Sequence, residues 1–165
     1  GRHRDQLPPP ATHGEQRQAG KTEGDDQHLD RPAGGAAHRF ADAAAVMFPL
    51  APGANPFSMG APDKPVNAWL WRADATEPYD VIAEGYATTR RRPAGTSGLR
   101  AAARHANGAW SIVFQRPLAA QQAGCVRFQP GAPSEIACAS WDGSNRDRSA
   151  QQAVSAGLLA LDFES

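Results

Sequence analysis

Met59 is the residue best placed to do chemistry, because it lies in a loop rich in proline and glycine, residues 55–62, and not on a strand. Thioether sulfur is a soft ligand for transition metals, haem iron included. A methionine beside a glycine is more often a hydrophobic plug over a core. Considered alone, the loop therefore allows both a metal ligand and a packing residue at position 59.

The other candidates for chemistry have simpler interpretations. Asp142 and Asp147 could form a carboxylate pair for acid–base catalysis, but Asp142 begins an Asp-Gly-Ser-Asn segment that is typical of an Asx turn. The sequence contains no phosphate-binding loop, nucleophile elbow, HExxH motif or CxxC pair. We therefore expect a protein that is not a catalyst on its own.

The charge balance argues against a nucleic-acid partner. Lys and Arg number 17, Asp and Glu number 17, and the formal net charge is +0, so there is no broad positive field. The densest basic cluster, residues 90–92, precedes Pro93 and a glycine-rich segment, where a solvated turn is the ordinary explanation. No run approaches the roughly 20 apolar residues of a membrane-spanning helix, so we expect no membrane partner.

The composition of the chain changes near residue 38. In residues 1–37 the only sizeable aliphatic side chains are Leu7 and Leu29. Such a segment buries too little apolar surface to offset its ordering entropy, so we predict a disordered or non-family N-terminal extension. Residues 38–165 are predicted to form one folded domain. Four of the five histidines lie in or next to the extension, at spacings that fit no metal-ligand pair: His3, His13, His28 and His38.

The folded part has the alternating pattern of short strands. Trp69 and Trp71, for example, share one face of segment 66–72. Two segments containing alanine favour short helices instead, residues 40–46 and 148–155. We predict a mainly β fold, an antiparallel β-sandwich with a few short helices. The expected strands are 66–72, 79–84, 110–115, 125–128, 136–141 and 158–163.

Segments 125–128 and 136–141 are separated by a loop of proline and glycine, which predicts a hairpin. Cys125 and Cys138 would then lie on its two arms. A disulfide requires the two residues to be directly opposite, and two buried thiols are the alternative.

Four sequence blocks occur in a fixed order after residue 38. They are Phe40-Ala-Asp-Ala-Ala-Ala-Val-Met-Phe-Pro, then Met59-Gly with Pro65-Val-Asn-Ala-Trp-Leu-Trp-Arg-Ala-Asp, then Gly108-Ala-Trp-Ser-Ile-Val-Phe-Gln-Arg-Pro-Leu, then Ile136-Ala-Cys-Ala-Ser-Trp-Asp-Gly-Ser-Asn-Arg-Asp-Arg. Together they resemble the haem b-binding gamma subunit of the type II dimethyl sulfoxide reductase family, which includes ethylbenzene dehydrogenase and its chlorate, selenate and dimethyl sulfide relatives. The similarity covers residues 38–165.

This resemblance implies an electron-transfer subunit in the periplasm. Its β-sandwich would hold one haem b and relay electrons between an iron–sulfur beta subunit and a soluble cytochrome or other carrier. A molybdenum-containing alpha subunit would perform the catalysis.

The resemblance also implies roles for particular residues. The family's methionine in the Met-Gly loop is an axial haem ligand, and Met59 matches it. The second axial ligand is a lysine just before a Val-Ser pair, and Gln152 stands at that position. Trp69, Trp71 and Trp141 would be either walls of the haem pocket or ordinary core residues.

Two departures from the family pattern favour an alternative. The amide of Gln152 is a poorer iron ligand than a neutral amine, and Lys64 and His105 are the substitutes to consider in the domain. In addition, nothing in residues 1–37 can serve as the family's opening strands, so the sandwich is expected to lack them. The alternative function is a cofactor-free β-sandwich that has lost haem and works as a ligand-binding or interaction module.

Overall fold

The computed structural model describes residues 40–119, 122–149 and 151–163. In this part of the chain the regular structure comprises nine strands and two single-turn 3₁₀ helices, Pro56–Ser58 and Gly143–Asn145. The strands are β1 (Ala43–Pro49), β2 (Val66–Arg72), β3 (Tyr79–Ala83), β4 (Arg90–Arg91), β5 (Arg100–Ala106), β6 (Ala109–Gln115), β7 (Ser134–Trp141), β8 (Ala153–Val154) and β9 (Leu159–Leu161).

Seven of these strands form one sheet in which β1 has neighbours on both sides. The order is β4-β3-β2-β1-β7-β8, and β9 pairs with the first residues of β7. Strands β5 and β6 form a separate two-stranded sheet. All the strand pairs are antiparallel. The predicted antiparallel β-sandwich class is confirmed.

Strand β1 corrects the prediction of a helix over residues 40–46. Alanine favours a helix when local preference alone decides. Here, however, Met47 belongs to one buried cluster and Phe48 to another, and each is 1% exposed. A strand turns neighbouring side chains to opposite faces, whereas a helix buries a single stripe, so burial on two faces outweighs the local preference.

The β5–β6 hairpin covers the face of the large sheet that carries Trp69 and Trp71. The ring centroids of Trp71 and Trp110 are 4.7 Å apart, and those of Trp69 and Phe114 are 6.3 Å apart. The indole nitrogen of Trp110 also donates to Asp42 Oδ2 at 2.9 Å. Aromatic contacts therefore join the two sheets on this face. The hairpin does not cover the opposite face of the large sheet.

The hairpin predicted between residues 125–128 and 136–141 is wrong. Strand β7 pairs with β1 instead, and Val46 stands opposite Cys138. Segment 125–128 lies outside the strands, so the two cysteines are not on paired arms. Cys125 and Cys138 are free thiols, and burial raises the pKa of the Cys125 thiol.

The C-terminal elements correct the prediction of a helix over residues 148–155. Its last residues form β8, which continues the ladder on β7, and Ser155 N–H donates to the Cys138 carbonyl at 2.9 Å. Pairing with an existing sheet edge satisfies these backbone groups better than one isolated helical turn. The last predicted strand, 158–163, is confirmed as the shorter β9.

The predicted extension over residues 1–37 and the histidines His3, His13, His28 and His38 lie outside the described residues. Across residues 40–119, 122–149 and 151–163, no helix has the length and apolarity that crossing a lipid bilayer requires.

A buried polar network fastens segment 125–128 to the large sheet. Asn67, which is 0% exposed, donates through its side-chain nitrogen to Asp80 Oδ1 at 2.6 Å and to the Val81 carbonyl at 2.9 Å. Its side-chain oxygen accepts from Val126 N–H at 3.0 Å. One amide of β2 thus satisfies groups from β3 and from a loop, which ties segment 125–128 to the sheet.

We expect Asn67→Ala to lower the free energy of unfolding by about 2–4 kcal/mol, because it leaves a buried carboxylate and a buried N–H without this partner. Chemical denaturation followed by circular dichroism measures the change. Asn145→Ala, in the exposed 3₁₀ turn, is the matched control and should stay within about 0.5 kcal/mol of the parent protein. Equal effects of the two substitutions would contradict the assignment of this network.

Candidate functional site

A cavity of about 620 Å³ lies on the face of the large sheet opposite the hairpin. This volume is within the range of about 300–1,000 Å³ that is usual for cofactor and small-ligand sites. The large sheet lines it together with four other segments, namely the residues before β1, the loop around Met59, the segment between β3 and β4 and the segment between β7 and β8. The lining residues are Phe40, Ala41, Ala43, Ala45, Met47, Met59, Ala68, Leu70, Arg72, Val81, Tyr86, Ala87, Thr89, Trp141, Asp147, Arg148, Ser149 and Gln152.

The floor of the cavity consists mainly of small side chains. Ala43 and Ala45 of β1 line it together with Ala68 of β2. In the ladder, Ala45 stands opposite Leu70, and Met47 stands opposite Ala68. Methyl groups project little above a sheet, so the alanines leave apolar space for a ligand above this part of the floor.

The Met59 loop, residues 55–61, is held by its own backbone. Asn55 caps the 3₁₀ turn by accepting from Phe57 N–H at 2.9 Å, and its carbonyl accepts from Gly60 N–H at 2.9 Å. Met59 ends the turn in the left-handed region with φ 57°. Its carbonyl accepts from Gly85 N–H at 2.9 Å, which ties the loop to the residues after β3.

Gly60 allows this loop to approach the sheet closely. A β-carbon at position 60 would lie 2.6 Å from the Lys64 carbonyl oxygen and 3.0 Å from the Ala83 carbonyl oxygen. The φ of Gly60, +82°, also lies in the region that favours glycine. Glycine at position 60 is therefore required by the position of the loop, whatever Met59 does.

The opposite side of the cavity is the distal wall, which we define as Asp147, Arg148, Ser149 and Gln152. The indole nitrogen of Trp141 donates to the Ser149 carbonyl at 3.0 Å. Gln152 immediately precedes β8, whose pairing with β7 fixes where Gln152 enters the cavity. Gln152 is half-buried.

The charged residues of the cavity belong to β2 and to the distal wall. Arg72 donates through Nε and Nη2 to the two oxygens of Asp74, each at 2.9 Å, and this bidentate pairing lowers the pKa of Asp74. The guanidinium of Arg148 lies 5.1 Å from the centroid of the Phe40 ring. The Asp147 carboxylate accepts from Asp142 N–H at 3.0 Å. The cavity is thus apolar over the sheet and carries cations at its margin.

Asp142 and Asp147, which the sequence analysis considered as a possible catalytic pair, have a structural role. Asp142 Oδ1 accepts from Ser144 N–H at 2.8 Å and from Ser144 Oγ at 2.6 Å, and these bonds lower the pKa of Asp142. The Asx turn predicted at Asp142 is confirmed, since the residue caps the 3₁₀ turn that follows.

The cavity brings together three of the four residues that the sequence singled out, namely Met59, Gln152 and Trp141. The structure places Trp71 elsewhere. Side chains alternate along β2, so Ala68 faces the cavity while Trp71, like Trp69, faces the hairpin. Trp71 is therefore a core residue between the sheets.

Sequence reasoning missed several of the lining residues, and it weighed two residues that lie elsewhere. Met47 was missed because it directly follows residues 40–46, which were interpreted as a helix, so the strand that contains it was not identified. Tyr86 and Arg148 lie in connecting segments without periodicity. His105 stacks on Trp110 with centroids 4.8 Å apart and does not line the cavity, and Lys64 does not line it either.

The donor set of the cavity is unusual for a metal site. Among the described residues that line it, none is a histidine, cysteine or lysine. The soft donors are the thioethers of Met47 and Met59, and the phenol of Tyr86 donates to the Phe57 carbonyl at 2.9 Å. A bare metal ion would find too few ligands here, whereas a metal already held by a macrocycle needs only one or two.

We expect Gly60→Ala to displace the Met59 loop and to lower the thermal midpoint by several degrees, because of the clash with two backbone oxygens. Gly95→Ala is the matched control: Gly95 has a similar φ of +74°, but a β-carbon there would meet nothing within 4 Å. Differential scanning fluorimetry should show a clearly larger loss for the first variant. Equal losses would mean that backbone strain alone, and not close approach, explains Gly60.

The sequence matches the family model described as ethylbenzene dehydrogenase over residues 8–100 and 93–153. The first matched range begins within residues 1–37. The chain is 36% identical over 118 residues to a protein of Haloferax mediterranei whose name describes a respiratory nitrate reductase heme subunit, covering 71% of this chain and 42% of that protein. It is 35% identical over 127 residues to chlorate reductase subunit gamma of Ideonella dechloratans, covering 76% of this chain and 52% of that protein. The chain therefore spans about half the length of these curated relatives.

Proposed function

Because the chain belongs to the ethylbenzene dehydrogenase family, we propose that it is a haem b electron-transfer subunit of a molybdenum-containing oxidoreductase complex. The relatives named as a heme subunit and as a gamma subunit support the proposal. Its own role is to hold the haem and to set its redox potential. The catalytic chemistry belongs to another chain of the complex.

One observation carries the proposal, namely that Met59 and Gln152 line the same cavity from two sides. Met59 is tied to Gly85, which follows β3, whereas Gln152 precedes β8. Strands β3 and β8 lie on opposite sides of β1 in the sheet order. Residues far apart in the sequence thus line one cavity from different elements, and they would hold a bound haem between them.

The residues present fit a haem. Met59 would supply an axial thioether, and the alanine floor would accommodate the apolar ring. Arg148 would meet a carboxylate of the haem at the margin of the cavity. The haem supplies one-electron redox chemistry when bound, and burial together with a thioether ligand raises its reduction potential.

The remaining features of the proposal concern the assembly. We propose an iron–sulfur beta subunit as the neighbouring partner, a molybdenum-containing alpha subunit beyond it, and a soluble cytochrome or other carrier as the external partner. We further propose a periplasmic location. These features follow the family resemblance, and the relatives' names support only membership of reductase complexes.

Substituting the thioether tests the axial ligand. We expect the full chain to bind haem with a distinct Soret band. Met59→Leu should weaken that binding by about 10–100-fold, because even the loss of a residue that only supports a metal ligand lowers the affinity by that factor. Leucine keeps nearly the same volume, so the fold should be unaffected. Met47→Leu is the matched control, since it removes the other thioether of the cavity and should leave the affinity near that of the parent protein. Titration with haem, followed by absorbance, gives both affinities.

Two results would count against the proposal. If Met59→Leu binds haem as the parent does, Met59 is a packing residue. If the parent chain is folded by circular dichroism but binds no haem, the cofactor-free ligand-binding or interaction module becomes the better function.

A second test concerns the carboxylates. Arg148 is exposed, so we expect Arg148→Gln to weaken haem binding only about two- to fivefold, the usual range for an exposed ion pair. Binding of haem dimethyl ester, which lacks the two charges, should not change in this variant. The exposed Arg127, which does not line the cavity, provides the control Arg127→Gln. Equal losses with haem and its ester would refute a carboxylate contact at Arg148.

A further inference from the structure

The distal wall offers no strong ligand to a haem iron held by Met59. Its side chains are a carboxylate, a guanidinium, a hydroxyl and an amide, and the Asp147 carboxylate already accepts from Asp142 N–H at 3.0 Å. A guanidinium remains protonated and has no lone pair to give. The amide of Gln152 is neutral and weakly basic, which makes it a poor ligand for iron.

The other donors of the cavity lie away from this wall. The Tyr86 hydroxyl donates to the Phe57 carbonyl in the Met59 loop at 2.9 Å, so its phenol is held on the Met59 side. Met47 is 1% exposed and belongs to the floor, within the ladder between β2 and β7. Neither residue is placed to take the coordination position opposite Met59.

Gln152 is positioned to interact with a small molecule at that position. Strand β8 begins at the next residue, and Ser155 secures the strand through Ser155 N–H to the Cys138 carbonyl at 2.9 Å and Cys138 N–H to Ser155 Oγ at 3.2 Å. The amide of Gln152 carries two N–H donors. Trp141 and Ala45 contribute apolar surface to the cavity, and the opposite charges of Asp147 and Arg148 on the distal wall leave it without a net charge, so an uncharged ligand suits it.

From these contacts, and resting on the proposed function, we propose that the Gln152 side of the cavity is an open coordination site for small neutral diatomic ligands of ferrous haem. Carbon monoxide is the probe. Its binding forms one iron–carbon bond, breaks no bond and transfers no electron. The Gln152 amide donates a hydrogen bond to the far atom of the bound molecule.

The experiment uses the full chain loaded with haem and reduced with dithionite under argon. The parent protein should bind carbon monoxide with a marked Soret shift. Gln152→Lys should bind it at least tenfold more weakly, because a neutral amine can then take the open position. Gln151→Lys is the matched control: it adds the same charge one residue earlier, at an exposed position that does not line the cavity, and should behave as the parent.

A further variant tests the hydrogen bond. Gln152→Leu should keep carbon monoxide binding but raise the C–O stretching frequency in the infrared spectrum, since a hydrogen bond to the ligand lowers it. An unchanged frequency would remove the amide from the proposal.

The possible outcomes distinguish a failure of the open site from a failure of the proposed function. A parent chain that binds haem but takes up carbon monoxide no better than Gln152→Lys would overturn the open site and leave the proposed function intact. A parent chain that shows no Soret band before carbon monoxide is added would overturn the proposed function, and the open site with it.

Discussion

The structure depends on the alternation of side chains along β1, the strand in the middle of the large sheet. Its residues on one face are small or flexible, Ala43, Ala45 and Met47, and those on the other face include Phe48, which packs on Trp69 with ring centroids 4.6 Å apart. A two-residue period allows one strand to build a dense aromatic core and a shallow floor at the same time. The hairpin covers the aromatic face, and the face with the alanines remains available for a ligand.

The two sides of the cavity are held by different means. The Met59 loop is fastened by backbone hydrogen bonds and by a glycine that admits close approach, so its shape is independent of what the methionine contacts. The distal wall instead belongs to the segment that connects the end of β7 to the short strand β8. A ligand bound here would thus have the Met59 loop on one side and the distal wall, with Gln152 next to the short strand β8, on the other.

Much of the fold and part of the site could be predicted from the sequence. Period-two patterns identified β2, β3, β6 and β7, and the loop position of Met59 marked it as a candidate ligand. Helix propensity gave a wrong prediction where burial in the folded protein determines the secondary structure. In β1, for example, the alanines were interpreted as a helix. The faces of β2 were predicted, but not which face carries the cavity, so Trp71 was left as either a pocket wall or a core residue, and the structure places it in the core. The predicted hairpin containing Cys125 is wrong because its second arm, β7, pairs with β1, which is distant in the sequence.

The brevity of β8 has a consequence for how the protein can be assembled. Its ladder with β7 comprises only two residue pairs, Ala139 with Val154 and Ser140 with Ala153. Segments with so few contacts open at a much lower free energy than the sheet that supports them, and their amides exchange with solvent first. This edge of the cavity is therefore expected to open by local fluctuation while the rest of the sheet stays folded. A ligand could then enter or leave beside Gln152 without unfolding of the domain.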